Sequence, residues 1–137
     1  TAQTIVDGWL RTGDIGYVDA DNFIFLVDRA KEMVLRGGEN VYCSEVETAL
    51  YRHPAVAECS VFSVPDERLG EEVGAAIYPA AGARPTAAEL REFCKTQLAA
   101  YKAPRYIWIL DEPLPRNASG KFVKRALQDS LDIAAAG

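Results

Sequence analysis

The chain has 137 residues, 49% of them hydrophobic and 26% charged, a composition that suits one compact domain and excludes a disordered segment. No apolar run approaches the roughly 18 residues of a membrane-spanning helix, and no signal-peptide pattern is present, so we expect a cytoplasmic protein. The net charge of −5 argues against a nucleic-acid-binding module, which is usually basic. Residues 84–125 nevertheless carry a net charge of +5, which a small polyphosphate ligand or a solvated surface would explain equally well.

The cysteines and the single histidine predict no metal site. Cys43, Cys59 and Cys94 are odd in number, widely spaced and form no C-x-x-C pair, so we expect three reduced thiols rather than a disulfide framework or a zinc site. His53 stands before Pro54 at an apparent helix end, and one imidazole without neighbouring ligands makes a poor metal site. Its predicted role is structural.

The first predicted element is a β-hairpin over residues 16–27, where two apolar runs flank the turn residues 19–22. A helix is predicted to follow, because Ser44 and Glu47 have the spacing of a capping box and apolar residues follow at helical intervals. Residues 1–28 offer one hairpin and no helix, which is too little to bury a core of their own.

The later elements predict a sheet covered by helices. Strands are expected over residues 56–64, 73–78 and 106–110. The second strand is nearly all apolar and should be buried on both faces. Before the third strand, Thr86 and Glu89 form another capping-box pattern ahead of an amphipathic helix, which implies a right-handed crossover. With a last helix after Lys121, the predicted fold class is α+β: a small three-stranded sheet flanked by helices and preceded by a β-hairpin.

The segment PRNASGK, residues 115–121, places a lysine at the end of a loop of proline, small polar residues and glycine. It is not a phosphate-binding P-loop. Pro115 replaces the first glycine of that motif, and Phe122 follows Lys121 where a serine or threonine is required. A different chemistry therefore has to explain the lysine.

Two longer stretches carry a family resemblance: GWLRTGDIGYVDADNFIFLVDRAKEMVLRGGENVYCSEVE, residues 8–47, and YKAPRYIWILDEPLPRNASGKFVKRAL, residues 101–127. In motif order and spacing they resemble the C-terminal part of the adenylate-forming superfamily, which contains acyl-CoA and aryl-CoA synthetases, firefly luciferase and peptide-synthetase adenylation domains. The segments RGGENVYCSEVE and ASGKFVKRAL are most similar to the acyl-CoA and aryl-CoA ligases. The resemblance implies that residues 1–29 are the tail of a large N-terminal domain and that residues 30–137 form the mobile C-terminal domain.

The resemblance implies roles in nucleotide binding and domain movement. Asp14, in RTGD, matches an aspartate that accepts hydrogen bonds from the ATP ribose, a task suited to an ionised carboxylate because it has only acceptor oxygens. Arg29 matches an arginine that contacts the same ribose, and Lys31 matches the hinge about which the small domain swings between two half-reactions. Taken alone, Asp14 would be a turn residue and Arg29 an ordinary charge at a strand end.

The resemblance also implies sites for the reacting groups. Lys121 matches the catalytic lysine, whose charge offsets the repulsion between a carboxylate and the α-phosphate during adenylation. Gly37 and Gly38 match a loop that lines the pantetheine tunnel in the second half-reaction, where glycine permits close backbone approach. Tyr101 matches an aromatic position that packs against CoA, whereas Leu69 stands where relatives often carry an aromatic residue. Taken alone, Lys121 would belong to a solvated basic loop, Gly37 and Gly38 to a simple turn, and Tyr101 to ordinary packing.

The implied activity is that of an ATP-dependent ligase for fatty or aryl acids, which forms acyl-AMP and pyrophosphate and then acyl-CoA. ATP and CoA are the implied co-substrates, with Mg²⁺ bound mainly by the N-terminal domain, which is also the implied partner; this segment alone should be inactive. PRNASGK also resembles the acetylation sites of related synthetases, which makes a lysine acetyltransferase acting on Lys121 a further expected partner. Two alternatives stay open: an adenylation domain that loads a carrier protein, and a noncatalytic interaction module that kept the fold.

Overall fold

The computed structural model describes residues 5–10, 12–29 and 32–137, with the backbone only for residues 5, 6 and 27–29. Two antiparallel hairpins come first: β1 (Ile5–Val6) with β2 (Trp9–Leu10), and β3 (Asp14–Val18) with β4 (Ile24–Arg29). In the turn of the second hairpin, Oδ1 of Asp19 accepts hydrogen bonds from the backbone N–H groups of Asp21 (2.9 Å) and Phe23 (3.0 Å). The hairpin predicted over residues 16–27 is thereby confirmed.

Most of the remaining chain is built on one five-stranded sheet. Its strands are β5 (Met33–Arg36), β6 (Glu39–Tyr42), β7 (Val56–Asp66), β8 (Gly70–Pro79) and β9 (Tyr106–Ile109). The long strand β8 is central, and β7 lines one of its edges in antiparallel register. The other edge is shared by β5, which pairs at Gly70, and by β9, which runs parallel to residues 74–77. The outer edge of β5 pairs with β6.

Helices cover both faces of this sheet. They are α1 (Cys43–Tyr51), α2 (Ala87–Gln97) and α3 (Lys124–Ser130). On one face, Leu50 of α1 and Leu90 of α2 share a core with Ile77 of β8. On the other face, Leu127 of α3 shares a second core with Trp108 of β9. Because side chains alternate along a strand, β8 contributes to both cores and is buried on both faces, as predicted.

The α+β class is confirmed, but the central sheet has five strands where three were predicted. The two additional strands are β5 and β6, which Gly37 and Gly38 join as a hairpin. Each strand has four residues, and only Val34 in β5 and Val41 in β6 are buried, so the apolar pattern is too short to stand out. The Gly-Gly pair between MVLR and ENVY is the signal that predicts the hairpin.

The capping box predicted for α1 is wrong. The N-cap of this helix is Tyr42, and it has no capping side-chain hydrogen bond. Instead, Oε1 of Glu47 accepts from the N–H of Val61 in β7 (2.9 Å) and lies 3.0 Å from Nζ of Lys124. A positively charged partner attracts this carboxylate more strongly than a neutral backbone amide at the helix start, so Glu47 joins α1 to α3 rather than capping α1.

The capping box predicted for α2 is confirmed. Oγ1 of Thr86 accepts from the N–H of Glu89 (3.2 Å), and Oε2 of Glu89 accepts from the N–H of Thr86 (2.8 Å). The helix therefore begins where the sequence predicts. It connects β8 to β9, and a crossover of this kind is what allows neighbouring strands to run parallel.

The cysteines are buried in the core, and the histidine makes contacts that support the local structure. All three cysteines are free and buried, and burial raises the pKa of Cys59 to about 12 and that of Cys94 to about 11. Nδ1 of His53 accepts from the N–H of Ala55 (3.1 Å), and its ring meets Phe93 edge to face. Over the described part of the chain, no group of His, Cys, Asp and Glu could hold a metal ion, and no helix is long and apolar enough to cross a bilayer.

Candidate functional site

The segment PRNASGK folds as a closed loop, which we call the lysine turn (residues 116–122). Arg116 and Phe122 pair as an antiparallel bridge at its base. Inside it, the N–H of Asn117 donates to the carbonyl oxygen of Lys121 (2.9 Å), and the N–H of Gly120 donates to that of Asn117 (3.0 Å). Gly120 has a φ of +82°, a left-handed conformation that favours glycine. The proline and small polar residues of PRNASGK therefore form a tight turn with Lys121 at its exit.

The side chain of Asn117 reinforces the turn from within. Its Oδ1 accepts hydrogen bonds from the N–H groups of Ser119 and Lys121, both at 3.0 Å. The Lys121 side chain is exposed, and the ion pairs found among the described residues do not include it. The backbone of this lysine is thus fixed, while its ammonium is available to an anionic ligand.

Arg116 clamps the lysine turn from outside. Its Nη1 donates to the carbonyl oxygen of Gly120 (2.9 Å), and its Nη2 donates to Oε1 of Glu58 in β7 (2.7 Å). The guanidinium carbon lies 4.4 Å from the centroid of the Phe122 ring, within cation–π range. Oε2 of Glu58 accepts from the N–H of Leu114 (3.0 Å). The hydrogen bond from Arg116 lowers the pKa of Glu58, so this carboxylate is ionised at neutral pH.

A second candidate element is the glycine hairpin, which consists of β5, β6 and the turn between them. Arg36 pairs with Glu39, which leaves Gly37 and Gly38 as a two-residue turn with φ values of +56° and +89°. Positive φ at both positions is what the tight type I′ turn requires, and glycine supplies it without strain. The N–H of Gly37 donates to the carbonyl oxygen of Leu69 (3.0 Å), while a Cβ on Gly38 would meet open space. The tip therefore exposes backbone that a ligand can approach closely.

Two consecutive glutamates anchor the glycine hairpin to the start of β8. Oε2 of Glu71 accepts from the N–H of Leu35 (2.8 Å). Nε of Arg36 donates to Oε1 of Glu72, whose side chain is only 2% exposed. Successive side chains of a strand point to opposite faces, so the two carboxylates hold the hairpin from both sides of the sheet.

An open cavity of about 560 Å³ lies beside Tyr101. Its lining includes four cationic side chains, those of Arg36, Arg91, Lys95 and Arg105, and one carboxylate, that of Glu72, which is paired with Arg36. Nζ of Lys102 lies 5.8 Å from the centroid of the half-buried Tyr101 ring. A cavity that combines positive charge with an aromatic face suits a ligand that carries phosphates and a planar ring.

The predicted ribose-binding residues lie together on the β3–β4 hairpin. Asp14 and Arg29 are directly opposite each other in the strand register, and the Asp14 side chain is exposed. Opposed residues on antiparallel strands have Cβ atoms about 5 Å apart. The strand register therefore brings together two positions that are separated in sequence. The predicted hinge, Lys31, lies outside the described residues.

The lysine turn and the glycine hairpin lie at opposite ends of the same sheet. Glu58, which holds the lysine turn, is paired with Tyr78 near the end of β8, whereas Arg36 is paired with Gly70 at its start. From Gly70 to Tyr78 the strand advances by eight residues, or about 26 Å. The sheet therefore holds the two elements well apart.

Several residues that shape these elements were missed by the sequence analysis. Glu58 and Glu72 stand in strands that are otherwise largely apolar, and a charged residue in a buried strand is a signal that it has a partner. Their partners, Arg116 and Arg36, are 58 and 36 positions away in sequence. That separation is why local patterns could not identify the pairs.

Comparison with protein families identifies the domain. The model of the family described as "AMP-binding enzyme C-terminal domain" matches residues 45–121, more than half of the chain. That range begins in α1 and ends at Lys121, so it contains strands β7, β8 and β9, helix α2 and most of the lysine turn, whereas β5 and β6 precede it.

Individual relatives agree with this match. The chain is 49% identical over 130 residues to a fatty acid–[acyl-carrier-protein] ligase, ScoC, of Streptomyces coeruleorubidus, covering 94% of this chain and 25% of that protein. It is 47% identical over 128 residues to the 2-succinylbenzoate–CoA ligase of Geobacillus kaustophilus, covering 93% of this chain and 26% of that enzyme.

Among solved structures, the o-succinylbenzoate CoA synthetase of Bacillus subtilis, in complex with its acyl-adenylate intermediate, superposes with a TM-score of 0.82 at 40% identity. The match covers 95% of this chain and 26% of that structure. The chain thus spans about a quarter of the length of the relatives it matches. It belongs to the family of AMP-binding enzyme C-terminal domains.

Proposed function

We propose that this chain is the C-terminal domain of an AMP-forming acid–thiol ligase, which activates a fatty or aryl acid with ATP and transfers the acyl group to CoA. Relatives named as a 2-succinylbenzoate–CoA ligase and a feruloyl-CoA synthase, at 47% and 44% identity, support a CoA ligase. The observation that carries the proposal is the position of the lysine turn and the glycine hairpin at opposite ends of β8.

That separation suits a reaction in two steps. If Lys121 serves acyl-AMP formation and Gly37 and Gly38 serve thioester formation, the domain must turn between the steps to bring each element to the same active site. Each element is held in place by hydrogen bonds to the sheet. A rotation of the whole domain therefore exchanges them without refolding either one. Lys31, the proposed hinge, would be the point of rotation.

The chemistry of the first step needs a mobile cation. The attacking carboxylate and the α-phosphate are both negatively charged, so they repel each other as they approach. An ammonium between them lowers this repulsion and stabilises the charge that shifts in the transition state. The exposed side chain of Lys121, on a rigid turn, is suited to that role because its position is fixed at the backbone and adaptable at the tip.

The β3–β4 hairpin would complete the nucleotide site. Asp14 and Arg29, opposite each other in register, are proposed to bind the ATP ribose. We assign residues 1–29 to the end of the N-terminal domain, and their large exposed apolar side chains support this assignment: Trp9 and Ile24 are 79% and 73% exposed. Apolar surface of this kind normally packs against another domain.

The second step would use the other end of the sheet. The exposed backbone at Gly37 and Gly38 leaves room for the pantetheine chain. The cationic cavity beside Tyr101 has the charge to bind the CoA phosphates and an aromatic face for its adenine. Leu69 packs under Gly37, so at this position it supports the hairpin turn rather than offering an aromatic platform.

The remaining components belong to the whole enzyme. Mg²⁺ would be bound with ATP mainly by the N-terminal domain, and this chain alone is predicted to be inactive because it holds only part of the site. Acetylation of Lys121 by a lysine acetyltransferase would remove the charge used in the first step. The exposure of Lys121 is compatible with such a modification.

A carrier protein is the second candidate for the acyl acceptor. The observation that favours it is the 49% identity to a fatty acid–[acyl-carrier-protein] ligase. CoA and carrier proteins present the same phosphopantetheine thiol, so the glycine hairpin would serve either of them. Thioester formation by the full-length enzyme, measured with CoA and with a phosphopantetheinylated carrier protein, distinguishes the two.

The test of the proposed function is Lys121→Ala in the full-length enzyme. We expect acyl-AMP formation, followed by pyrophosphate release with a panel of fatty and aryl acids, to fall by about 10²-fold or more. Transfer from supplied acyl-AMP to CoA should change by less than about twofold, because Lys121 is then at the far end of the sheet, where solvent and salt screen its charge. Arg84→Ala is the control, since it removes an exposed cation from the loop before α2.

Two results would contradict the proposal. If both half-reactions fall together, Lys121 supports the fold or binds the acceptor rather than the reacting carboxylate. If the wild-type full-length enzyme forms no acyl-AMP with any acid, the noncatalytic interaction module is the better account of the chain.

A further inference from the structure

We propose that Arg116 and Glu58 are positioning residues for adenylation: together they hold the lysine turn in the shape that aims Lys121, and they attach it to the sheet that carries it. This inference rests on the proposed function of Lys121 and goes beyond it. Neither residue is expected to touch the substrate. Both would act through the backbone of the turn.

The guanidinium of Arg116 makes three contacts at the lysine turn. Arg116 donates to the carbonyl oxygen of Gly120 (2.9 Å), donates to Glu58 (2.7 Å) and stacks on Phe122 (4.4 Å to the ring centroid). Gly120 and Phe122 are the two neighbours of Lys121 in sequence. The clamp therefore holds the chain immediately before and immediately after the lysine.

Glu58 attaches the lysine turn to β7. Glu58 lies within that strand, is paired across to Tyr78 of β8, and uses its second carboxylate oxygen to accept from the N–H of Leu114 (3.0 Å). One carboxylate thus links the strand to the residues that enter the turn and to the side chain that closes it. The turn consequently moves with the sheet as one body when the domain rotates.

Glu58 also neutralises the charge of Arg116. Without a counterion, the guanidinium of Arg116 would place a second positive charge beside Lys121 and would itself attract anions. Glu58 is ionised and bonded directly to Arg116, so the pair is close to neutral. Among the described residues, Lys121 is therefore the cation of the turn without a carboxylate partner. Only its charge would reach the reacting groups.

The fork geometry of arginine is essential to this arrangement. A planar guanidinium presents donors in fixed directions while its face stacks on an aromatic ring. Lysine could keep the ion pair with Glu58, but its single ammonium could not also stack on Phe122 and reach the carbonyl of Gly120. Arg116→Lys should therefore behave as a positioning defect although the charge is unchanged.

The experiment is a double-mutant cycle in the full-length enzyme, with Arg116→Ala, Lys121→Ala and the combined variant, each assayed in both half-reactions. We expect Arg116→Ala to lower the rate of acyl-AMP formation by about 10²-fold, since a displacement of about 1 Å at a reacting group has an effect of this size. Transfer from supplied acyl-AMP to CoA should change by less than about twofold. In the Lys121→Ala background, removing Arg116 should lower acyl-AMP formation by no more than about another twofold, because the residue that it positions is gone.

A conservative variant and a matched control keep the test interpretable. Arg116→Lys, expected to lower adenylation by about tenfold, replaces Arg116→Ala in the cycle if thermal unfolding shows that the alanine variant is unstable. Arg52→Lys is the control, because Arg52 donates to Gln97 (3.0 Å) in another part of the domain and should leave both half-reactions unchanged.

The outcomes separate this inference from the proposed function. If Lys121→Ala spares acyl-AMP formation, the proposed function fails. If Lys121→Ala lowers it but Arg116→Ala and Arg116→Lys do not, only the positioning role is overturned. The positioning role is also overturned if Arg116 variants lower both half-reactions equally, or if their effect is as large without Lys121 as with it.

Discussion

The lysine turn and the glycine hairpin are both rigid, but they are rigid for different reasons. The glycine hairpin is made of two paired strands, is continued by the sheet, and is anchored by Glu72, which is 2% exposed. The lysine turn is closed by side chains at the surface, and its principal clamp, Arg116, is 48% exposed. One element is part of the folded sheet, while the other is a surface loop held in a defined shape.

This difference separates stability from function. A buried ion pair becomes strongly destabilising when one partner is removed, because the other charge stays buried without compensation. A surface ion pair is screened by water and contributes little free energy, even where it determines geometry. Changes to the hairpin anchors should therefore strongly lower the stability of the domain, and changes to the lysine turn should alter the direction of Lys121 with little loss of stability.

The largest expected effect is that of Arg36→Met. It leaves the carboxylate of Glu72 buried without its cation, and we expect the free energy of unfolding of this chain to fall by about 3 kcal/mol. The matched change at the turn, Arg116→Met, should cost less than about 1 kcal/mol, because its partner can be hydrated. Urea unfolding of the two variants measures both values.

A compensated variant sharpens this test. Replacing both residues, Arg36→Met with Glu72→Met, removes the buried unpaired charge. The double variant should recover most of the lost stability, to within about 1 kcal/mol of the original chain. Equal destabilisation by Arg36→Met and Arg116→Met would contradict the distinction between an anchored hairpin and a clamped surface turn.

A smaller difference is expected between Gly37→Ala and Gly120→Ala. Both glycines have positive φ, so an alanine at either position is strained by about 1 kcal/mol. At Gly37 the new Cβ would also lie 2.8 Å from Cδ2 of Leu69, whereas at Gly120 it would meet open space. We expect Gly37→Ala to lower the free energy of unfolding by about 2 kcal/mol and Gly120→Ala by about 1 kcal/mol.

A second substitution, at Leu69, tests whether the additional loss of stability in Gly37→Ala comes from the contact with that side chain. Combining Gly37→Ala with Leu69→Ala should relieve the clash and leave mainly the backbone strain, which thermal or urea unfolding would detect. If Gly37→Ala is no more destabilising than Gly120→Ala, the hairpin is not held against Leu69 as tightly as its contacts indicate.

Local interactions account for what the sequence could predict. The capping box of Thr86 and Glu89 is closed between residues three positions apart, and the β3–β4 turn is closed by Asp19, so both could be predicted from short patterns. Glu47 has the same pattern as Glu89 and failed, because an ammonium 77 positions away in sequence, on Lys124, took the carboxylate. A pattern predicts structure only where no stronger distant partner competes for the same side chain.

The residues of the candidate site also fall into those that a short sequence pattern predicts and those that it does not. Asp14, Gly37 and Lys121 were found because each stands in a recognisable motif, and their roles remain predictions. The clamp made by Arg116 and Glu58 could not be found, because its two residues meet only through the register of β7 and the return of the chain after β9. Motifs mark residues that meet a ligand, whereas positioning residues are visible only in the fold.

The smallest expected effect concerns the acid stability of the surface clamp. The hydrogen bond from Arg116 lowers the pKa of Glu58 from an ordinary value of 4.5, so the folded state favours the ionised carboxylate. A lowered pKa in the folded state stabilises the protein above the ordinary pKa, and this stabilisation is lost as the pH falls through the folded value.

Glu58→Gln should therefore be less stable than the original chain at pH 7 by less than about 1 kcal/mol, given solvent screening. The difference should shrink as the pH falls from about 5 toward 3. Urea unfolding over this range measures it, and a difference that stays constant would mean that the glutamine disturbs packing rather than charge. A small, pH-dependent loss of stability, together with a large loss of adenylation in the full-length enzyme, is the combination that a positioning clamp requires and that a structural ion pair would not produce.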